Sequence, residues 1–209
     1  MALVTKFRVY VETTIIADWL LVETVSKRRR NVLSSEVMAS HELISFLLRR
    51  KDDIILPFTS YWSIFESVGV IKRTNIEVWL VHDGIPTSFY YELRDDKEYR
   101  LEDFQIKKIK SLIRSLTIDE KKNKPLKLLP EQSDIDFGLS LILNENLEAP
   151  DSFHLGIALS YGCDFFVTKD KHYRRCAKFL SENKIKIMRP QRFIKALKDE
   201  GFSIPSDFS

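Results

Sequence analysis

The fold class is decided by residues 151–170, which read DSFHLGIALSYGCDFFVTKD. Proline suits the first position of a helix, so a helix is predicted to open at Pro150-Asp151, immediately before this stretch. Residues 164–168 follow a glycine and are mainly apolar, which predicts a short strand. A helix that leads into a strand is one unit of an α/β fold with a parallel sheet.

The alternation of strands and helices continues on both sides of this stretch. Short alternating or apolar runs predict further strands at 6–11, 53–57 and 185–188. Apolar periodicity, caps and prolines predict helices after Glu12, after Thr59 or Ser60, at 35–50, 101–116, 131–143 and 172–182, and from residue 190. We therefore predict a single three-layer α/β/α domain over residues 1–209, with a mainly parallel central sheet. The less regular segment at about 87–128 is predicted to be a helical, basic insertion.

Composition places the chain among ordinary globular proteins. Hydrophobic residues make up 44% and charged residues 30% of its 209 residues, which excludes a disordered or fibrous chain. The net charge of +3 is compatible with a polyanionic partner without requiring one. No run of about 18 apolar residues and no basic leader are present, so we expect a cytoplasmic protein with no membrane partner. The two cysteines, Cys163 and Cys176, are expected to be free thiols.

Acidic residues stand where a parallel sheet binds ligands, beyond the carboxyl ends of its strands. Glu12 follows the first predicted strand and Asp170 follows the strand at 164–168. Asp151 opens the preceding helix, and Glu66 lies within the helix after the second strand. Converging carboxylates repel one another unless a cation neutralises them, and Mg²⁺ or Mn²⁺ prefers oxygen ligands. Each acid alone is more typical of a helix cap or a solvated loop, so only the set indicates phosphate-ester chemistry.

The quoted stretch resembles the C-terminal signature of PIN-domain nucleases, the VapC-like metal-dependent ribonucleases. That family typically shows Asp-Ala-x-His-x-Ala-x-Ala, a glycine-containing turn, a hydrophobic strand and Thr-x-Asp. The corresponding residues here are 151–158 and 162–170. Residues 9–14 (VYVETT) resemble the family's opening strand with Asp-Thr-Asn, and residues 60–66 resemble the helix that supplies its second acid.

The resemblance implies a divalent-metal-dependent ribonuclease that hydrolyses RNA phosphodiester bonds in line, with one or two Mg²⁺ or Mn²⁺ ions activating water. Thr13 or Thr168 would position water or phosphate. Family members often form homodimers, and a toxin of a toxin–antitoxin pair would also bind an antitoxin-type protein. The catalytic and metal-binding residues that the resemblance implies are Glu12, Glu66, Asp151 and Asp170.

Glu12 and Thr14 depart from the family pattern, which has Asp and Asn at these positions. The extra methylene of Glu12 moves its carboxylate by about 1.5 Å, whereas metal–oxygen distances are fixed to within about 0.2 Å. A second interpretation is therefore a PIN-like domain with weakened catalysis that serves as an RNA- or protein-binding scaffold. A third, a phospho-acceptor signalling domain, needs an Asp after a central strand, and residues 54–60 contain none.

Two further features have a structural and a functional interpretation. Lys107, Lys110 and Arg114 lie opposite the apolar side of the helix at 101–116, so they can follow an RNA backbone or form a solvated face. His154 is predicted to be a buried, hydrogen-bonded structural residue rather than a ligand. The remaining histidines form no spacing motif: His41, His82 and His172.

Overall fold

The computed structural model describes residues 6–50, 53–93, 101–118 and 124–204 of the 209-residue chain. Its strands are β1 (Phe7–Val11), β2 (Ile55–Ser60), β3 (Lys127–Leu129), β4 (Phe165–Val167) and β5 (Lys186–Met188). Its α-helices are α1 (Thr13–Thr24), α2 (Ser35–Arg49), α3 (Tyr61–His82), α4 (Tyr90–Leu93), α5 (Asp103–Thr117), α6 (Ile135–Leu143), α7 (Ala149–Ser160), α8 (Ala177–Glu182) and α9 (Pro190–Asp199). Short 3-10 helices cover Lys27–Val32, Thr87–Phe89 and His172–Cys176. Within these ranges, no helix is both long enough and apolar enough to cross a bilayer.

The strands form one sheet in the order β3-β2-β1-β4-β5. Every pairing between the described strands is parallel, so the predicted three-layer α/β/α architecture is confirmed. β1 lies at the centre, with β2 on one side and β4 on the other. The chain adds β2 and β3 on one side of β1 and later adds β4 and β5 on the other side. In parallel sheets of this kind, ligands bind where the strand order reverses, which here is between the carboxyl ends of β1 and β4.

Side chains that alternate along the strands fill two cores, one on each face of the sheet. On β1, Val9 and Val11 belong to the larger core, which is covered by α1, α2, α3, α5 and α9. Tyr10, between them, belongs to the smaller core, which is covered by α6, α7 and α8. Its ring stacks on Phe166 of β4 with a centroid distance of 5.3 Å. This two-sided burial explains why the strands read as nearly continuous apolar runs.

The segment at about 87–128, which was predicted to be an insertion, contributes to the same sheet and core. Leu116 and Ile109 of α5 are buried in the larger core. Strand β3, which was not predicted, pairs with β2 and extends the sheet on that side. Residues 94–100 and 119–123 of this segment lie outside the described residues.

Helix α3 begins directly at the end of β2, because Ser60 both ends the strand and caps the helix. The Ser60 Oγ accepts a hydrogen bond from the backbone N–H of Ser63 at 3.1 Å. Thr59, the other predicted cap, instead donates its hydroxyl hydrogen to the carbonyl of Val11 at 3.0 Å. The N-terminus of α3 is therefore fixed at the carboxyl edge of the sheet, beside β1.

Both cysteines are free and buried, as predicted. Burial raises the pKa of the Cys163 thiol to about 12 and that of the Cys176 thiol to about 11. Both therefore remain protonated at neutral pH, and a protonated thiol is neither a nucleophile nor a metal ligand.

Replacing Gly156 with alanine is expected to give no stabilisation, although alanine is the better helix former by about 1 kcal/mol. A Cβ at position 156 would collide with the Oγ of Ser133 and would lie 3.3 Å from the Ser133 Cβ. Ser133 would have to rotate and give up its hydrogen bond to the carbonyl of Asp134. Urea denaturation measures the change in the free energy of unfolding.

The matched control is Gly69→Ala in α3, where no described residue has an atom within 4 Å of the added Cβ. This variant should gain about 0.5–1 kcal/mol in the free energy of unfolding. An equal gain in both variants would show that the contact with Ser133 carries no cost.

Candidate metal centre

Asp151 and Asp170 meet at the carboxyl edge of the sheet, together with His172. Asp151 lies in the first turn of α7, and Asp170 lies in the loop that follows β4. The Nδ1 atom of His172 is 3.4 Å from Oδ1 of Asp170 and 3.6 Å from Oδ2 of Asp151. One donor atom from each of the three side chains lies within 4.8 Å of the other two, and no other such group occurs among the described residues. We call this group the Asp–Asp–His cluster.

Two local hydrogen bonds hold Asp170 in the loop after β4, one through its backbone and one through its carboxylate. The backbone N–H of Asp170 donates to Oγ1 of Thr168 at 3.0 Å. Oδ1 of Asp170 accepts from the backbone N–H of His172 at 2.7 Å, which forms an Asx turn. This turn brings the His172 ring back towards the carboxylates. The ring is 53% exposed, so solvent and ions can reach it.

Glu12 is buried at the end of β1, where it caps α1. Its Oε2 atom accepts hydrogen bonds from the backbone N–H of Thr14 at 3.0 Å, from the Thr14 hydroxyl at 2.6 Å and from the Thr168 hydroxyl at 3.0 Å. Burial raises the pKa of Glu12, and the hydrogen bonds from Thr14 oppose this only in part. The Thr168 hydroxyl thus connects Glu12 to the backbone of Asp170.

Glu66 lies beside Thr13, outside the Asp–Asp–His cluster. Its Oε2 atom accepts a hydrogen bond from the Thr13 hydroxyl at 2.7 Å and lies 2.8 Å from Nε2 of His154. The bond with His154 lowers the pKa of Glu66, so this carboxylate is ionised at neutral pH. The four predicted acids are therefore divided into the pair within the cluster and two flanking acids, Glu12 and Glu66.

His154 is a buried, hydrogen-bonded residue, as predicted, with 1% of its surface exposed. Its Nδ1 lies 3.3 Å from the hydroxyl of Tyr10 and 3.2 Å from that of Ser63. A hydroxyl that donates to Nδ1 leaves Nε2 as the N–H that donates to Glu66. The His154 imidazole therefore connects the Tyr10 hydroxyl in the smaller core to the Glu66 carboxylate.

The cluster is strongly anionic. Burial raises the pKa of Asp151, and the charge of Asp170 raises it further. The Tyr173 hydroxyl lies 3.5 Å from Oδ1 of Asp151, and its pKa is raised by burial and by the charges of Glu12, Asp151 and Asp170. A bound cation would relieve this repulsion, because it would stabilise the ionised form of each carboxylate.

Lys169 anchors the loop of the cluster on α1. Its Nζ atom lies 2.7 Å from Oδ1 and 2.6 Å from Oδ2 of Asp18, a side chain that is only 9% exposed. The backbone N–H of Lys169 also donates to the Thr14 hydroxyl at 3.5 Å. Burial raises the pKa of Asp18, whereas the charge of Lys169 lowers it. The residue between Thr168 and Asp170 is thus held at both its backbone and its side chain.

Sequence reasoning missed His172 and the ion pair between Lys169 and Asp18. A signal for His172 was present, because it stands two residues after Asp170, at the spacing of an Asx turn. No local signal announces the ion pair, since Asp18 lies on a helix at the other end of the chain.

The predicted RNA-backbone residues lie in the other helical layer from Asp151. Lys107, Lys110 and Arg114 are exposed on α5. Helix α5 covers the larger core, whereas α7, which carries Asp151, covers the smaller core on the opposite face of the sheet. A contact between these three residues and RNA stays a prediction.

Comparison with known proteins finds no matching family model, no matching curated protein and no matching solved structure.

Asp151→Asn is expected to raise the melting temperature of the metal-free protein at neutral pH. The pKa of Asp151 is raised in the folded state, so its contribution to stability is present at low pH and is lost as the pH rises through that pKa. The advantage of the variant should therefore grow from acidic to neutral pH. Thermal unfolding in EDTA at several pH values measures this difference.

Asp136→Asn is the control, because Asp136 also lies in the first turn of a helix but is exposed. This variant should lose a little stability, since it removes a favourable interaction with the helix dipole. Equal behaviour of the two variants would mean that repulsion within the cluster is negligible.

Proposed function

We propose that the chain is a PIN-like ribonuclease that depends on a divalent metal ion and hydrolyses RNA phosphodiester bonds. The observation that supports this proposal most strongly is the meeting of Asp151 and Asp170 with His172 within 4.8 Å at the carboxyl edge of the sheet. The two acids come from separate elements, and they are two of the four that the sequence resemblance assigns to the metal.

The donor atoms of the cluster suit a divalent cation. Two carboxylates and an imidazole provide two hard oxygen donors and one nitrogen donor. Mg²⁺ favours a shell made of oxygen, whereas the ions later in the divalent series accept imidazole more readily. His172 therefore favours Mn²⁺ over Mg²⁺, the two ions that the sequence indicated. Since the three hydrogen bonds to Glu12 all fall on Oε2, Oε1 is the Glu12 oxygen that would face a cation.

The chain supplies the surroundings in which phosphodiester hydrolysis can occur. A divalent ion held here provides a Lewis acid for the phosphate and lowers the pKa of water. Thr168 keeps Glu12 and the Asp170 loop in register through its two hydrogen bonds. Glu66 remains an ionised acceptor at the edge of the site, oriented by Thr13 and His154.

A second candidate is a PIN-like scaffold that binds RNA or protein without efficient catalysis. The engagement of Glu12 as the cap of α1 favours it, because Thr14 and Thr168 already bind one oxygen of this carboxylate. The sequence resemblance also implies a homodimer and, for a toxin, an antitoxin-type partner, and we include both in the proposal.

The decisive experiment is incubation of labelled single-stranded RNA with Mn²⁺ or with EDTA. The parent should cleave only with Mn²⁺, and Asp151→Asn and Asp170→Asn should each lower the cleavage rate by about 100-fold or more, since each removes a metal ligand. Asp199→Asn, which removes one exposed charge at the end of α9, is the control and should cleave like the parent.

Metal binding separates the nuclease from the scaffold. At about 100 times its dissociation constant, Mn²⁺ should stabilise the parent by about 2.7 kcal/mol, and Asp170→Asn should abolish the accompanying shift in melting temperature. RNA cleavage at the parental rate by Asp170→Asn would refute the proposed function. The absence of both cleavage and a melting shift in the parent would favour the scaffold.

His172→Gln is expected to raise the Mn²⁺ concentration that gives half-maximal cleavage by about tenfold, because a ring nitrogen leaves the cluster. The effect should be smaller with Mg²⁺, which gains less from an imidazole ligand. Titration of activity with each ion measures the difference. An unchanged Mn²⁺ requirement would remove His172 from the site.

A further inference from the structure

Three aromatic side chains are exposed at the start of α3, close to the proposed site. Tyr61 is 53% exposed, Trp62 is 47% exposed and Phe65 is 70% exposed. Large aromatic side chains normally bury most of their surface, so three of them within five residues on the surface require an explanation. We call this group the aromatic shelf.

The aromatic shelf lies at the same edge of the sheet as the Asp–Asp–His cluster. Ser60 fixes the start of α3 at the carboxyl end of β2, next to β1 and its Glu12. Trp62 lies one helical turn before Glu66 and therefore on the same side of the helix. Helical side chains lean towards the N-terminus of their helix, which for α3 means towards the carboxyl edge of the sheet.

A cleft lined by basic residues lies on the other side of the cluster. It has a volume of about 770 Å³, begins at Thr168 and Asp170, and follows edge strand β5 between α8 and α9. Among the residues that the structure describes, its lining contains five basic side chains and a single carboxylate, that of Asp170. The basic residues are Arg174, Lys184, Lys186, Arg189 and Arg192. Arg189 is also paired with Glu36.

The order of the strands places the cluster between these two surfaces. The aromatic shelf comes after β2, Glu12 and Asp170 come after β1 and β4, and the basic cleft begins after β4 and runs beside β5. Neighbouring strands are about 4.8 Å apart, so the distance from β2 to β5 across the site is about 14 Å. A flexible polyanion can therefore cross all three features in sequence.

We infer that a single-stranded nucleic acid crosses this edge of the sheet, with its bases stacked on the aromatic shelf and its phosphates in the basic cleft. Aromatic side chains beside a positively charged groove are the combination that binds single strands without reading their sequence. A protein partner would also cover aromatic side chains, but a polyanion accounts for the basic cleft as well, which begins at Asp170. The inference rests on the proposed function, since it names the surface on which that substrate lies.

The first test measures binding of a short fluorescent single-stranded RNA to the full chain by anisotropy in EDTA. All variants carry Asp170→Asn, so that no cleavage interferes. Trp62→Ala and Phe65→Ala should each weaken binding by about tenfold, since stacking contributes about 1–3 kcal/mol per base. Phe104→Ala, which removes an aromatic side chain that is 58% exposed on α5, is the matched control and should bind like the parent.

The second test uses the salt dependence of binding to separate the two surfaces. Arg174→Ala and Arg192→Ala should each lower the slope of log affinity against log salt by about 0.7, the value for one phosphate contact on a single strand. Trp62→Ala should weaken binding without changing this slope. Lys72→Ala, which removes an exposed charge further along α3, is the control for the loss of a cation.

Three outcomes would overturn the inference: unchanged RNA binding in Trp62→Ala and Phe65→Ala, binding of double-stranded RNA as tight as that of the single strand, or a change only in oligomeric state by light scattering. The last would assign the shelf to a protein contact. Comparison of single-stranded RNA with single-stranded DNA identifies which nucleic acid binds more tightly. Binding of either one supports the proposed route across the edge of the sheet.

Hydrolysis of bis(p-nitrophenyl) phosphate keeps this inference separate from the proposed function. The parent should hydrolyse this diester with Mn²⁺, and Asp170→Asn should not. If the parent hydrolyses neither this diester nor RNA, while the variants weaken RNA binding as expected, the nuclease proposal fails and the proposed route of the single strand is supported. If the parent cleaves both substrates while the variants bind RNA as tightly as the parent, only the proposed route of the single strand is refuted.

Discussion

The parallel pairing of β1 with β4 is the constraint on which the candidate site depends. Val11 is paired with Val167, and the backbone N–H of Glu12 continues the ladder by donating to the carbonyl of Val167 at 3.1 Å. This register places Glu12 opposite Thr168, so that one hydroxyl can serve both the Glu12 carboxylate and the loop that carries Asp170. A slip of one residue would turn alternate side chains to the opposite core and separate these groups.

The buried carboxylates of the site reduce the free energy of unfolding. Glu12 and Asp151 are both held in surroundings that raise their pKa values, chiefly because burial removes water from a carboxylate. The chain offsets part of this cost with hydroxyl and amide donors from Thr14 and Thr168. Conflict between folding and local electrostatics is typical of sites that bind a ligand, because the ligand resolves it.

Much of the fold could be predicted because strand and helix periods are local properties of the sequence. The sheet, the cap at Ser60 and the approach of Asp151 to Asp170 follow from strand ends and from the rule for parallel sheets. Strand β3 was missed because it lies in the least regular segment of the sequence and is recognisable as a strand only by its pairing with β2. His172 was missed because its position depends on a turn whose geometry is set by Asp170 rather than by any periodicity.

The pairing of Lys169 with Asp18 has a consequence for the thermodynamics of the proposed ion binding. Because α1 holds this residue at both ends, the loop that carries Asp170 is ordered when the protein folds rather than when an ion arrives. The conformational entropy of this loop is therefore lost during folding, and little of that loss would reduce the affinity for an ion. Ligands ordered in this way would discriminate between ions by radius and coordination geometry, since a loop that is already ordered relaxes little around each ion.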